Sequence, residues 1–202
     1  QLNWIYIEFT RKAMLELDKI FEKKEYLKTF VSTKQKGLDL FFRVKYQTTL
    51  FRNKDINNFS IVLEINYLNH KKIGAKDNNK WMLVSIPPYN QACSFDDSIM
   101  IEPDFTSFGI GSFLLNEMLT EAIKHIPNYS LRATLSINDE RNGNKERRDS
   151  LYRNIGFNIS EDEINIDKIS NLNLDRKFDY IKEIDISLRA FRKLFQKKMQ
   201  YM

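Results

Sequence analysis

Two closely spaced glycines stand before an amphipathic segment, in a pattern that can bind an anion. Gly109 and Gly111 lie in the stretch Thr106-Ser-Phe-Gly-Ile-Gly-Ser112. The apolar residues that follow recur every three or four positions and predict a helix: Leu115, Met118, Leu119, Ala122, Ile123 and Ile126. The first N–H groups of a helix have no intrahelical acceptor and carry partial positive charge, so a phosphate could approach the backbone beside a glycine. A G-x-G pair alone more often serves close packing at a helix entry.

A tyrosine in a second stretch offers acid chemistry. The segment Leu151-Tyr-Arg-Asn-Ile-Gly-Phe157 follows a basic run that starts at Arg147. A phenol has a pKa of about 10 and stays protonated at neutral pH, so Tyr152 could donate a proton to a leaving group. The alternative is that Tyr152 is a core aromatic of a short helix.

Together the two stretches resemble the GNAT family of acyl-CoA-dependent N-acyltransferases. That family shows V-x-P-x-x-R-G-x-G-[IV]-G at its pyrophosphate loop, where this chain has Ile101-Glu-Pro-Asp-Phe-Thr-Ser-Phe-Gly-Ile-Gly111. It later shows L-Y-x-x-x-G-F, which residues 151–157 match in the same order. The chain departs from the family at Thr106 and Ser107, where Arg or Gln and Gly are usual, and also at Lys145 and Arg148.

The resemblance implies an α+β fold of three layers, similar to the GNAT fold. In that fold a mixed, mostly antiparallel central sheet is flanked by helices, and this chain would add helices at both ends. A single domain over residues 1–202 would contain an N-terminal helical segment (1–35), the GNAT-like core (38–160) and a C-terminal helical extension (161–202).

Local patterns supply the elements inside these bounds. Strands are predicted over 38–50, 59–68, 80–86, 98–101, 130–137 and 157–159, and a short helix over 147–154 that Gly156 caps. The apolar stripe of the C-terminal helix begins at Phe178, Ile181 and Ile184, and its last turns carry a basic face. We predict that the helix packs through its apolar stripe and that its basic face lies in solvent. The alternative is that the basic face binds an acidic membrane or nucleic acid.

The resemblance also assigns roles in acyl transfer. The backbone around the glycines would cradle the pyrophosphate, Met100 and Ile101 would offer backbone groups to the pantetheine arm and the thioester oxygen, and Arg153 would reach a phosphate. The full set of implied cofactor-binding residues is Met100, Ile101, Thr106, Phe108, Gly109, Ile110, Gly111, Ser112 and Arg153. Tyr152 is the implied general acid for the departing sulfur.

The base that deprotonates the attacking amine is assigned to nearby carboxylates. Glu102 and Asp97 are the leading candidates and Asp96 lies beside them, although each carboxylate taken singly fits a structural role as well. Cys93 as an acyl-carrying nucleophile has no indicated His or Asp partner.

Composition sets broad limits on the function. The chain of 202 residues has a formal charge of +5 and a pI near 9.1, which suits an anionic ligand such as CoA. One cysteine and two distant histidines make a metal site unexpected, and no apolar run approaches a membrane span. We expect a cytoplasmic protein, with a homodimer left open.

The sequence therefore predicts an N-acyltransferase, most simply an N-acetyltransferase that moves an acetyl group from acetyl-CoA to a primary amine of unknown identity. The alternative is a catalytically weak or inactive binding module with the same fold, which recognises a partner through its helical ends. The residues that depart from the family pattern motivate this second hypothesis.

Overall fold

The chain folds around one large sheet. In the computed structural model the described residues are 21–53, 56–68, 80–86, 91–96, 107–135 and 144–185. The strands are β1 (Phe21–Gln35), β2 (Leu38–Asn53), β3 (Ile56–Tyr67), β4 (Lys80–Ser85), β5 (Ala92–Asp96), β6 (Ser130–Thr134), β7 (Asn158–Ser160), β8 (Glu163–Ile166) and β9 (Ile181–Glu183). The helices are α1 (Ile110–His125) and α2 (Asn144–Ile155), and a short 3-10 turn covers Ile169–Asn171.

The nine strands pair in the order β7-β8-β6-β5-β4-β3-β2-β1-β9. The pairing is antiparallel throughout this described sheet except between β5 and β6, which run parallel and are joined by a connection that contains α1. A parallel pair needs such a crossover because a tight turn reverses the chain direction.

Buried and half-buried residues alternate along β2 from Leu40 to Leu50. Every second side chain of β2 is buried, and the residues between them are half-buried: the buried set is Leu40, Phe42, Val44, Tyr46, Thr48 and Leu50. The same alternation continues into β3 and β4, because paired residues share a face. The sheet therefore presents one continuous apolar face.

Helix α1 covers that face. Its buried residues recur at helical spacing and join the core: Ile110, Phe113, Leu114, Leu115, Met118, Leu119 and Ala122. Phe113 packs edge-on against Phe30 of β1 at 4.9 Å and against Phe178 near the C-terminus at 5.6 Å between ring centroids. Each such large apolar side chain contributes about 2 kcal/mol when fully buried.

The expectation of a three-layer fold similar to the GNAT fold, flanked by helices and extended by terminal helices, is wrong. The structure is dominated by the nine-stranded sheet, with two α-helices among the described residues. A helical extension was expected over 161–185. The chain instead forms β8, the 3-10 turn and β9 there. The strands β1, β8 and β9 therefore lie within the segments for which terminal helices were expected.

The predicted N-terminal helix is also wrong over 21–35, where the chain forms β1. The apolar residues Leu27, Phe30 and Val31 fit a helical stripe by spacing. In the structure Leu27 is 54% exposed while Phe30 is buried, because pairing with β2 selects alternate residues instead. Strand pairing of this length overrides local spacing. Residues 1–20 and 186–202 lie outside the described part of the chain.

Several predicted elements are confirmed. The strands over 38–50, 59–68 and 80–86 correspond to β2, β3 and β4, and the central helix corresponds to α1. The short helix over 147–154 is part of α2, and Gly156 follows it with φ +107, as a left-handed cap requires. The strand predicted over 98–101 lies outside the described residues, and the chain pairs with β4 before it, over 93–96.

Candidate functional site

The first turn of α1 is the place where the sequence predicts an anion site. Gly109 caps the helix with φ +77 and ψ +6, and Ser107 just before it also has a positive φ of +74. No side chain caps this end by a hydrogen bond, and no acidic residue lies in the first turn. Within the described residues, this helix end therefore lacks the partners that usually satisfy it.

A tyrosine from the C-terminal part of the chain covers Gly109. A Cβ atom at this glycine would lie 2.5–2.8 Å from the ring and hydroxyl atoms of Tyr180. That distance is below any ordinary van der Waals contact, so a side chain here would collide with the ring. Gly109 is needed for this close approach and for its left-handed backbone. This requirement applies to Gly109 and not to the N–H groups of the residues that follow it.

The segment Phe178–Ile184 holds Tyr180 in place, and we call it the strap. Thr33 of β1 donates its N–H to the Tyr180 carbonyl at 2.8 Å, and the Ile184 N–H donates to the Thr29 carbonyl at 2.8 Å. The Lys34 ammonium lies 5.2 Å from the centre of the Tyr180 ring, within cation–π range. The strap is therefore an edge strand fixed to β1 by backbone hydrogen bonds.

A polar group of the strap lacks a hydrogen-bond partner among the described residues. The Tyr180 hydroxyl oxygen is buried and has no hydrogen-bond partner among the described residues. Burial raises the pKa of Tyr180, and the nearby Arg176 charge opposes that rise only in part. Ser32 of β1 donates its hydroxyl to the Phe108 carbonyl at 2.8 Å, which ties the helix entry to the same strand. A buried unpaired hydroxyl costs about 1–3 kcal/mol.

The sheet opens between its two parallel strands. β5 and β6 pair through Ala92↔Ser130 and Cys93↔Leu131. After these pairs, β5 continues to Asp96 alongside β4, and β6 continues to Thr134 alongside β8. Their facing edges therefore present backbone groups that the described sheet does not pair. In open α/β sheets, ligands bind outside the carboxyl ends of the strands.

Tyr152 lies on α2 and is buried. Its ring packs edge-on against Phe157 at 5.7 Å between centroids, and 7% of the side chain is exposed. Near it on the same helix the Asp149 carboxylate accepts a hydrogen bond from Arg148 at 3.1 Å and lies 3.9 Å from the guanidinium of Arg153. Arg153 is largely exposed, so its predicted phosphate contact would be made at the surface.

The structure separates the described candidates into two groups. Phe108, Gly109, Ile110, Gly111 and Ser112 form the entry and first turn of α1, beside β1 and the strap. Tyr152 and Arg153 stand on α2, next to Phe157 and β7. Five other candidates lie outside the described residues: Asp97, Met100, Ile101, Glu102 and Thr106.

Cys93 has the environment of a structural residue. It is fully buried, its thiol donates to the Ser130 carbonyl at 3.3 Å, and burial raises its pKa to about 12. A nucleophilic cysteine needs the opposite shift toward the thiolate. Across the described ranges, no three His, Cys, Asp or Glu side chains come together as a metal site.

Sequence reasoning missed Tyr180. The apolar stripe that starts at Phe178 was interpreted as helical because Ile181 and Ile184 follow at intervals of three. The alternation Phe178, Tyr180 would have predicted a short extended segment. Nothing in the local sequence indicates that the ring reaches residue 109, because that contact joins parts of the chain far apart.

No family model, curated protein or solved structure matches the chain. Among the helices described, none combines the length and the apolar character needed to cross a bilayer.

Proposed function

We propose that the chain is an acyl-CoA-dependent N-acyltransferase that moves an acetyl group from acetyl-CoA to a primary amine. The observation that carries this proposal is the first turn of α1, which is entered through Gly109 and which no side chain caps among the described residues. Within the described part of the chain, the first N–H groups of this helix have no capping acceptor and could therefore bind a ligand. The two motif resemblances supply the reaction class.

In this proposal the chain's own groups hold the phosphates and move protons. The N–H groups of Ile110, Gly111 and Ser112 face the end of α1 where the helix dipole is positive, and they would bind the pyrophosphate. The amine nitrogen attacks the thioester carbonyl, the C–S bond breaks, and the departing sulfur takes the phenolic proton of Tyr152. The proton lost by the amine goes to a carboxylate, for which Glu102 and Asp97 remain the candidates.

A transfer assay with a matched pair of tyrosine variants tests this proposal. Purified protein is incubated with acetyl-CoA and a panel of primary amines, and free CoA thiol and acetylated amine are both measured. We expect Tyr152→Phe to lower the chemical rate about 10²-fold, because the ring packing on Phe157 stays and only the proton donor is lost. Tyr26→Phe is the control, because that ring is 39% exposed and stacks on Tyr46 of β2. Equal rates in both variants would remove Tyr152 from the role.

The strap motivates a second candidate function, a binding module without turnover, because the Tyr180 ring covers Gly109, where the resemblance puts the pyrophosphate. The discriminating variant is Tyr180→Ala, which uncovers Gly109. CoA binding without acyl transfer, in both the wild type and Tyr180→Ala and with every amine tried, would favour the binding module over the enzyme.

A further inference from the structure

The opposite end of α1 carries a cavity that the acyl-transfer proposal does not use. Its volume is about 240 Å³, and its walls come from the end of β2, the start of β3, the last residue of α1 and the loop that follows this helix. The lining residues are Leu50, Phe51, Asn58, Phe59, His125, Ile126 and Tyr129. The helix has 16 residues, so this cavity lies roughly 24 Å along the helix axis from Gly109.

The size of the cavity suits a single ring. An apolar cavity of about 150 Å³ binds benzene, so this volume leaves room for a ring with a small polar substituent. Four of the walls are almost completely buried: Leu50, Phe59, Ile126 and Tyr129. The cavity is open to solvent and also exposes polar atoms, but five of its seven lining side chains are apolar or aromatic and can pack on a flat aromatic ring.

His125 is the polar group that can orient such a ligand. Its Nε2 lies 3.2 Å from the Glu121 carboxylate, and its ring lies 5.9 Å from the Phe59 ring centre. The Glu121 carboxylate engages Nε2, so Nδ1 is the ring nitrogen that remains for a ligand. The histidine is thus held by a carboxylate on one side and by an aromatic wall on another.

The surrounding charges favour a ligand that donates a hydrogen bond. The C-terminal end of a helix carries partial negative charge on its last carbonyls. Glu121 lies one turn before His125, and its negative charge is already paired with the Lys124 ammonium at 2.7 Å. The side-chain amide of Asn58 supplies a further acceptor from β3. An anionic ligand would meet the last helix carbonyls with the wrong sign.

We propose that this cavity is a binding site for a small single-ring aromatic molecule with a hydroxyl or amino donor, hydrogen-bonded to His125. The site is independent of the proposed acyl transfer, since it lies at the other end of α1.

Phenol is the probe for this site, and proton NMR of the histidine rings is the readout. The sequence has two histidines, His70 and His125, so the two ring signals can be assigned with His70→Gln. We expect phenol to shift the His125 signal saturably with a Kd on the order of 1 mM, while the His70 signal stays in place. Benzene should bind more weakly for want of the donor, and benzoate more weakly still.

Two variants at Asn58 locate the binding. Asn58 is exposed on β3, where an aromatic residue is compatible with a strand. Asn58→Tyr should fill the mouth of the cavity and weaken phenol binding at least tenfold, whereas Asn58→Ala should leave the cavity open and weaken it only a few-fold. A nuclear Overhauser contact between phenol and the His125 ring in the wild-type protein provides evidence that needs no variant. The proposal is overturned by an absent or non-saturable His125 shift, by equal phenol affinity in the two Asn58 variants, or by tighter binding of benzoate.

Discussion

The two ends of α1 differ in how they are stabilised. At the C-terminal end the helix carries Lys124 and His125 in its last turn, and the Ile126 N–H closes onto the Ala122 carbonyl at 2.8 Å. Both basic residues also bond to Glu121. Basic residues there complement the helix dipole, so local chemistry alone stabilises this end.

At the N-terminal end the complementary residues are missing. No carboxylate lies in the first turn, and no side chain caps the helix within the described structure. What contacts this end is tertiary: Ser32 bonds to the Phe108 carbonyl and the Tyr180 ring lies on Gly109. Incomplete local stabilisation is typical of functional sites, where another requirement decides the residues. The proposed anion site thus lies at the end of the helix for which no side-chain cap is found among the described residues.

The largest effect that would test this comparison is expected at Gly109. We expect Gly109→Ala to lower the free energy of unfolding by about 3 kcal/mol, because the new Cβ meets the Tyr180 ring and because φ is +77. Gly37→Ala is the matched control, since Gly37 has φ +78 but no atom within 4 Å of the new Cβ. That variant should lose only about 1 kcal/mol, which is the backbone part. Urea unfolding measures both.

A double-mutant cycle separates the two parts at Gly109 itself. In a Tyr180→Ala background the collision is gone, so Gly109→Ala should cost about 1 kcal/mol, similar to the value at Gly37. If Gly109→Ala costs the same with and without the Tyr180 ring, the strap does not press on the helix entry and the comparison fails.

A smaller effect is expected at the C-terminal end, where Glu121 can be neutralised. Burial raises the pKa of Glu121, but hydrogen bonds and charge from Lys124 and His125 outweigh burial and hold it below its ordinary 4.5. Because the folded pKa is the lower one, the stabilisation is present above the unfolded pKa and is lost as the pH falls through the folded value.

Glu121→Gln should therefore lower stability by about 1 kcal/mol at pH 7 and by less near pH 3. Thermal unfolding at both pH values measures this difference. A penalty that is the same at the two pH values would show that the Glu121 charge does not stabilise this end.

The smallest expected effect is a gain at the first turn. Ser112 is the third residue of α1, the position at which glutamate is favoured beside a helix N-terminus. Ser112→Glu should raise the free energy of unfolding by about 0.5 kcal/mol, and Ser112→Gln by less, because only the first adds a charge. A loss of stability in Ser112→Glu would indicate that this end is already satisfied.

Local periodicity predicted correctly the elements whose apolar face, as given by the sequence pattern, is also the face that packs on the core. The alternation of β2 and the three- and four-residue spacing of α1 survive because each presents one apolar face to the same core. The helix predicted over 21–35 is wrong because Leu27, Phe30 and Val31 fit a helical spacing. The helix predicted within 161–185 is wrong for the same reason, at Phe178, Ile181 and Ile184. In the structure β1 pairs with β2, and β9 pairs with β1. These contacts join distant parts of the chain, and local spacing does not encode them.

The candidate site was predictable in part for the same reason. Gly109 and the first turn of α1 follow from the glycine pattern and the apolar stripe, and the structure has the helix begin there. The Tyr180 contact and the opening between β5 and β6 depend on which strands become neighbours, so they required the structure.

The most direct test of the central claim is calorimetric titration of acetyl-CoA into the wild type, Ser112→Glu and Ser112→Gln. If phosphates bind at the first turn of α1, the wild type and Ser112→Gln should bind with similar affinity. The added carboxylate of Ser112→Glu should weaken binding at least tenfold while leaving the fold as stable or more so. No binding to the wild type, or equal affinity in the two variants, would contradict an acyl-CoA site at this end of the helix.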